Sequence, residues 1–175
     1  MGNVYVFRGM AGVGKTTLAG MLASKLKIPM LCKDHIVEGA KMSQKIIDRT
    51  ILNNVLYFDI YYKIIQANLD LGVDMVLDVA LGDRSHAQTF FDRLNFGNNQ
   101  RFGFFIKCSD ENEWCKRHEA RLSSPTLSQS FTSFEHVKEH YAERDINPFE
   151  NEHVIDTSMT IEECIAEIMR IVRVE

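Results

Sequence analysis

The chain has 175 residues, of which 45% are hydrophobic and 25% are charged, and it carries a formal net charge of −4. This length and composition are typical of one globular domain with a substantial buried core. The acidic balance argues against nucleic-acid binding driven by overall charge, although a local basic patch is compatible with it.

The cysteines and the apolar segments bear on location. The four cysteines form no CxxC pair and no disulfide framework; they are Cys32, Cys108, Cys115 and Cys164. Three of them stand in apolar stretches, where a free cysteine behaves as a small hydrophobe, which favours a reducing compartment. The sequence shows no signal peptide and no apolar run long enough to span a bilayer, so we expect a cytoplasmic protein without a membrane partner.

Short apolar runs alternate along the chain with segments of helical periodicity. The predicted strands are, in order, Val4–Phe7, Ile28–Cys32, Val73–Asp78, Phe102–Cys108 and Val154–Asp156. The predicted helices cover Lys15–Leu26, Ser43–Leu71, Asp83–Leu94, a segment after Ser109–Asp110 that holds Trp114, then Phe134–Arg144 and Ile161–Val172. Strands that alternate with helices predict an open parallel sheet inside a three-layer α/β/α fold.

A glycine-rich loop separates the first predicted strand from the first predicted helix. It has the pattern Gly-x-x-x-x-Gly-Lys-Thr, and the predicted nucleotide-binding residues are Gly9, Met10, Ala11, Gly12, Val13, Gly14, Lys15, Thr16 and Thr17. Glycines let backbone N–H groups approach phosphate oxygens, and the N-terminus of the following helix adds positive charge. Lys15 can reach the β- and γ-phosphates, and the Thr16 hydroxyl can ligate Mg²⁺. The loop therefore predicts binding of ATP with Mg²⁺.

Two carboxylates follow predicted strands whose carboxyl ends should meet at one edge of the sheet. Asp34 follows the second strand, where it could accept the proton of an attacking hydroxyl; the alternative is that it only caps the next segment. Asp78 ends the third strand and resembles a carboxylate that holds Mg²⁺ directly or through water. Its alternative role is to accept a hydrogen bond from Thr16, and the two roles are close in space.

Arg117 and Arg121 share one face of a predicted helix, immediately before the hydroxyl-rich stretch Ser123–Ser133. Two guanidiniums there could close over the phosphates and neutralise charge during transfer, as part of a mobile lid at about residues 117–133. The alternative is an ordinary surface helix, because Glu113 stands four residues before Arg117 and could bridge it.

The stretch His136–His140 matches the letter pattern H-x-x-E-H of one class of zinc proteases. Two histidines four apart on a helix could share a metal ion, but such a site needs a third protein ligand and only a short tail follows. A solvated helix face is the favoured interpretation of these histidines.

Taken together, the glycine loop, Asp34, Asp78 and the arginine pair give a pattern that resembles the small P-loop kinases. Within them the chain is most similar to the group that contains chloramphenicol phosphotransferase, the zeta toxins and the kinase domain of polynucleotide kinases. The resemblance implies a sheet of five parallel strands in the order 2-3-1-4-5 and transfer of the ATP γ-phosphate to a hydroxyl. It also implies that Asp34 is the catalytic base and that Arg117 and Arg121 are lid arginines.

The acceptor is the open part of this interpretation, because residues 36–72 show no substrate signature. The leading hypothesis is a single kinase domain over residues 1–175 that acts on a small hydroxylated metabolite or antibiotic. A second hypothesis makes the acceptor a nucleotide sugar or a nucleic-acid 5′-hydroxyl, which the acidic charge disfavours. A third is a regulatory nucleotide-binding module without transfer, which would not need Asp34 beside the γ-phosphate.

Overall fold

The structure is a computed structural model that describes residues 1–42, 54–123 and 131–174. Its strands are β1 (Asn3–Gly9), β2 (Met30–Cys32), β3 (Met75–Asp78), β4 (Gln100–Lys107) and β5 (Glu152–Asp156). The helices within those ranges are α1 (Lys15–Leu26), α2 (Lys33–Met42), α3 (Asn54–Leu71), α4 (Arg84–Asp92), α5 (Glu111–Ser123), α6 (Phe134–Ala142) and α7 (Ile161–Val174). None of these helices combines the length and apolarity that crossing a membrane requires.

The five strands form one parallel sheet in the order β2-β3-β1-β4-β5. β1 lies at its centre, where Phe7 pairs with Asp78 of β3 and with Phe104 of β4. Because β1 is covered on both faces, its side chains form an almost continuous apolar run. The predicted strand order and the predicted three-layer α/β/α fold are confirmed.

Side chains of β1 alternate between two apolar cores, one on each face of the sheet. Tyr5 and Phe7 belong to the core that α1, α5, α6 and α7 complete. Val4 and Val6 belong to the core that α3 and α4 complete. Because β1 contributes to both cores, the glycine loop that follows it leaves the sheet at the boundary between the two helical layers.

Two glycines shape the connection from β1 to α1. Gly9 has a φ of +146°, and a Cβ at this position would collide with the carbonyl oxygen of Ile106 on β4. Gly14 has a φ of +95° directly before α1, in the left-handed region that side chains disfavour. The glycine spacing of the loop is therefore a requirement of its backbone path.

The chain after β2 differs from the sequence prediction. The sequence predicts no helix between Cys32 and Ser43, whereas the structure has α2 immediately after β2, so Asp34 lies in the first turn of a helix. The predicted helix Ser43–Leu71 is confirmed over 54–71 as α3, and residues 43–53 lie outside the described residues. Most of the predicted hydroxyl-rich stretch, residues 124–130, also lies outside them.

Candidate active site

A pocket of about 410 Å³ lies at the carboxyl ends of β1, β2 and β3, with α5 and α6 beside it. Its lining combines residues of the glycine loop with charged and aromatic side chains from α2, α5 and α6. Of the predicted site residues, it brings together Lys15, Thr16, Asp34, Asp78 and Arg121. These five are spread over more than 100 residues of sequence, and the parallel sheet gathers them at one edge.

Lys15 begins α1 and is only 7% exposed. Its ammonium donates a hydrogen bond to the Met10 carbonyl oxygen, inside the curve of the glycine loop. Burial lowers the pKa of Lys15, and the negative charge of Asp78 opposes this shift. A buried ammonium of this kind is stabilised by an anion, so the loop is suited to a phosphate group.

Thr16 and Asp78 meet at the floor of the pocket. The Thr16 hydroxyl donates a hydrogen bond of 2.6 Å to Oδ2 of Asp78, and the Cys32 thiol donates to the same oxygen at 3.4 Å. The hydroxyl and carboxylate oxygens are hard ligands of the kind that Mg²⁺ prefers, and Mg²⁺ usually takes its other ligands from water and phosphate. Thr16 and Asp78 therefore fit a magnesium ion bound with a nucleotide.

Tyr61 of α3 holds the ends of two strands beside these carboxylates. Its hydroxyl lies 2.9 Å from the carbonyl oxygen of Leu31 on β2 and 3.2 Å from that of Asp78 on β3. Tyr61 is 1% exposed, and burial raises its pKa well above the usual value, so it remains a neutral donor. The backbone of Asp78 is thereby fixed from the α3 side.

Asp34 projects from the first turn of α2 into the same pocket. Partial burial raises the pKa of Asp34, and the positive charge of Lys33 opposes this shift. A carboxylate that loses hydration on burial binds a proton more strongly, which strengthens it as a base. Asp34 is the second residue of α2, and a carboxylate in the first turn of a helix is also stabilised by the positive N-terminal end of that helix. The capping role foreseen as its alternative stays a prediction.

The structure separates the two predicted lid arginines. Arg121 lines the pocket. Arg117 is not among the lining residues: its guanidinium bonds Glu113 at 2.9 Å, and the hydroxyl and carbonyl oxygens of Thr157 at 3.0 and 2.8 Å. The contact with Glu113 is the helix pair foreseen as the alternative for Arg117.

Sequence reasoning missed three side chains that hold the glycine loop. Trp114 of α5 donates its indole N–H to the Ala11 carbonyl oxygen at 2.8 Å, and the Ala11 N–H donates to the Tyr141 hydroxyl of α6 at 3.2 Å. Trp114 is the single tryptophan of the chain, which is a weak signal, and the sequence carries no signal for Tyr141. Thr157, after β5, is a third such residue, because its hydroxyl donates to the Val13 carbonyl oxygen at 2.8 Å.

Aromatic and histidine side chains form one side of the pocket. Phe131 lies edge-on to His136 and His140, with ring centroids 5.3 and 5.1 Å away, and Tyr141 lies against His140. Across residues 1–42, 54–123 and 131–174, no three His, Cys, Asp or Glu side chains group together as a metal site. His136 and His140 both line the pocket.

Arg8, the residue before the glycine loop, is completely buried. Its Nε and one terminal nitrogen donate to the two carboxylate oxygens of Glu152 at 2.6 and 2.7 Å. The guanidinium also donates to the carbonyl oxygens of Gly82 at 3.3 Å and Asn147 at 2.8 Å. One side chain thus ties the end of β1 to the segment after β3 and to the start of β5.

Two aromatic rings complete the environment of Arg8. Its guanidinium carbon lies 4.6 Å from the ring centroids of both Phe105 and Phe149. Such contacts, with a bidentate carboxylate, supply the favourable interactions that a buried guanidinium requires. The first predicted strand ends at Phe7, one residue before Arg8, because a charged residue directly after an apolar run usually marks the end of a strand.

No protein-family model matches this chain, and no curated protein sequence matches it. Solved structures do resemble it over nearly its whole length. A protein of Chloroflexus aurantiacus gives a TM-score of 0.72 at 16% identity, with 97% of each chain covered. A gluconokinase from Sinorhizobium meliloti gives 0.62 at 17% identity, covering 97% of this chain and 90% of the gluconokinase. A shikimate kinase from Acinetobacter baumannii, in complex with shikimate, gives 0.63 at 17% identity, covering 98% and 93%.

At these identities the likeness establishes the fold alone. The chain has the three-layer fold of the small P-loop kinases, as the glycine loop and the alternation of strands with helices predicted. Its structural neighbours include kinases that are named for a sugar acid and for shikimate, two small hydroxylated molecules.

Proposed function

We propose that this chain is a magnesium-dependent kinase that transfers the γ-phosphoryl group of ATP to a hydroxyl group of a small molecule, a metabolite or an antibiotic. The observation that carries the proposal is that Lys15, Asp34 and Arg121 line one pocket. A phosphate-binding loop needs the lysine, whereas the carboxylate and the second cation serve transfer to a hydroxyl. A nucleotide-binding module without transfer would have no use for Asp34 at that position.

In the proposed reaction the acceptor oxygen forms a bond to the γ-phosphorus, while the bond from that phosphorus to the β–γ bridging oxygen breaks. ADP leaves with the electron pair of the broken bond. The proton of the acceptor hydroxyl passes to the Asp34 carboxylate and from there to water. The raised pKa of Asp34 suits this role, because a stronger base takes the proton more readily.

The glycine loop would hold the triphosphate through backbone N–H groups and through the Lys15 ammonium. The proposed nucleotide-binding residues are Gly9, Met10, Ala11, Gly12, Val13, Gly14, Lys15, Thr16 and Thr17. Thr16 and Asp78 would hold the Mg²⁺ ion that accompanies the nucleotide. When bound, this ion would supply positive charge to the phosphate oxygens.

The arginines of α5 would act on the charge that is being transferred. Arg121 would neutralise the oxygens of the γ-phosphoryl group from its place in the pocket wall. Arg117 would join it only by exchanging its bonds to Glu113 and Thr157 for bonds to the phosphates. We propose that residues 117–133 form the lid within a single kinase domain of residues 1–175.

The proposal can be tested by screening hydroxylated metabolites, nucleosides, nucleotide sugars and antibiotics for ADP production with ATP and Mg²⁺. The expected result is at least one compound that raises ADP release well above the background without acceptor. Lys15→Ala should abolish this increase, because it removes the point charge that faces the β- and γ-phosphates. Lys25→Ala changes an exposed lysine on the same helix and should preserve the activity.

The same screen separates the alternatives. If ADP is released only in the presence of a nucleotide sugar or of a nucleic-acid 5′-hydroxyl, the acceptor belongs to that class and the small-molecule acceptor is wrong. Tight ATP binding without ADP release from any acceptor would contradict the kinase proposal and favour a regulatory module.

A further inference from the structure

The peptide group that joins Met10 to Ala11 in the glycine loop is hydrogen-bonded at both of its polar atoms. The Met10 carbonyl oxygen accepts from the Lys15 ammonium. The Ala11 N–H donates to the Tyr141 hydroxyl at 3.2 Å. The phenol of Tyr141 and the ammonium of Lys15 therefore flank the same peptide, and both side chains line the pocket.

The Tyr141 hydroxyl still has a proton to give. A phenol oxygen accepts with its lone pairs and donates one O–H. The Ala11 amide occupies a lone pair, and nothing in the described ranges 1–42, 54–123 and 131–174 accepts the phenol proton. Burial raises the pKa of Tyr141, so the hydroxyl stays protonated at neutral pH. Its oxygen is fixed by the loop while its proton remains available to a ligand.

The residue at position 82 is what lets the Tyr141 ring approach the loop this closely. A Cβ at Gly82 would lie 2.8 Å from Cε1 of Tyr141 and 3.3 Å from the Cα of Met10. Any side chain there would push the ring away from Ala11. The ring is further steadied by His140, whose ring centroid lies 4.8 Å away.

We propose that the Tyr141 hydroxyl donates a hydrogen bond to an oxygen of the γ-phosphoryl group, and that Tyr141 is a further catalytic residue of the transfer. The inference rests on the proposed function, because it needs a triphosphate bound in the glycine loop. Lys15 and Tyr141 would then contact the transferring group from the two sides of the Met10–Ala11 peptide. A donor fixed in advance by the loop contributes without reorganisation at the moment of transfer.

Tyr141→Phe tests this role, because it keeps the ring and removes only the hydroxyl. Calorimetry would measure the dissociation constants of the non-hydrolysable ATP analogue AMPPNP and of ADP, both with Mg²⁺, for wild type and variant. AMPPNP carries the γ-phosphoryl group and ADP lacks it, so their ratio isolates contacts to that group. The matched control is Tyr62→Phe. It removes a hydroxyl from a ring that packs against Phe90 on the other face of the sheet.

We expect Tyr141→Phe to weaken AMPPNP binding by about tenfold or more, as for a lost hydrogen bond to a charged group, with ADP affinity almost unchanged. The Tyr62→Phe control should leave both constants as in wild type. An unchanged ratio of the two constants in Tyr141→Phe would overturn the donor role.

A merely structural role of Tyr141 predicts a different result. If the hydroxyl only supports the loop, its loss should weaken AMPPNP and ADP equally and should shift the emission of Trp114. Trp114 is the single tryptophan, and its indole N–H bonds the Ala11 carbonyl oxygen, so its fluorescence reports the loop directly. That outcome would overturn the donor role while leaving the proposed kinase function intact. Failure of the wild-type chain to bind either nucleotide would instead contradict the proposed function itself.

Discussion

Replacing Arg8 by methionine should strongly destabilise the fold. The side chain of Glu152 is 4% exposed, and among the residues that the structure describes the substitution leaves its carboxylate the Phe149 N–H, at 2.8 Å, as the remaining donor. Breaking a buried ion pair on one side costs about 3–5 kcal/mol. For a chain of this length that corresponds to a fall in melting temperature of about 6–20 °C. Two carbonyl oxygens, those of Gly82 and Asn147, also lose their donor.

Glu152→Gln should cost less, about 2–3 kcal/mol, because the guanidinium keeps both carbonyl oxygens and both aromatic rings. Urea unfolding of the wild type, the two single variants and the double variant would give the coupling energy between the two charges. We expect the double variant to be at least about 1 kcal/mol more stable than the sum of the single losses predicts. Costs that add within about 0.5 kcal/mol would refute the view that the two charges depend on each other.

Three further predictions concern the candidate site. Thr16→Val should lower the Mg²⁺-dependent part of ATP affinity about tenfold, so that EDTA weakens binding to wild type but hardly to the variant; equal effects of EDTA would contradict the metal role. Arg121→Ala should reduce turnover on an identified acceptor at least tenfold with little change in ATP affinity, whereas Arg117→Ala should reduce it less, because Arg117 already bonds Glu113 and Thr157. Asp34→Asn should abolish most turnover and yet raise the melting temperature at pH 7, because it removes a charge that is costly to bury.

The sign of the Asp34 effect follows from its raised pKa. The folded state binds the Asp34 proton more tightly than the unfolded state does. Stability is therefore lost as the pH rises from the unfolded pKa to the folded pKa, and the loss is complete above the folded value. The difference between Asp34→Asn and wild type should accordingly vanish at low pH, in thermal melts recorded from about pH 3 to pH 7. A variant that is less stable at pH 7 would contradict this reasoning.

Local patterns were sufficient to predict the core of this fold and the grouping of Lys15, Thr16, Asp34 and Asp78 around one pocket. The run before Gly9 is apolar because β1 is covered on both faces, and the loop glycines are demanded by backbone angles. Asp34 and Asp78 could be predicted because parallel strands end at one edge. The helix α2 was missed because its sequence, which includes Gly39, has few apolar residues of its own, and it packs against α3.

Contacts between distant parts of the chain could not be predicted in the same way. Arg8 looks like the end of a strand until Glu152, 144 residues later, is seen to neutralise it. The predicted fifth strand begins at Val154 for the same reason, although β5 starts at Glu152. Trp114 and Tyr141 reach Ala11 across more than 100 residues, and neither carries a local motif. The contacts of these residues depend on tertiary packing, which cannot be deduced from the periodicity of the sequence.

The position of Tyr61 has a consequence for how the pocket can move. One buried hydroxyl of α3 lies within hydrogen-bond distance of carbonyl oxygens on both β2 and β3, at Leu31 and Asp78. A displacement of α3 toward the glycine loop must therefore carry the ends of both strands with it, or break a bond that water cannot easily replace. If the proposed function holds, closure of the pocket should thus come from α5 and α6, while α3 and the strand ends act as the stationary half of the hinge.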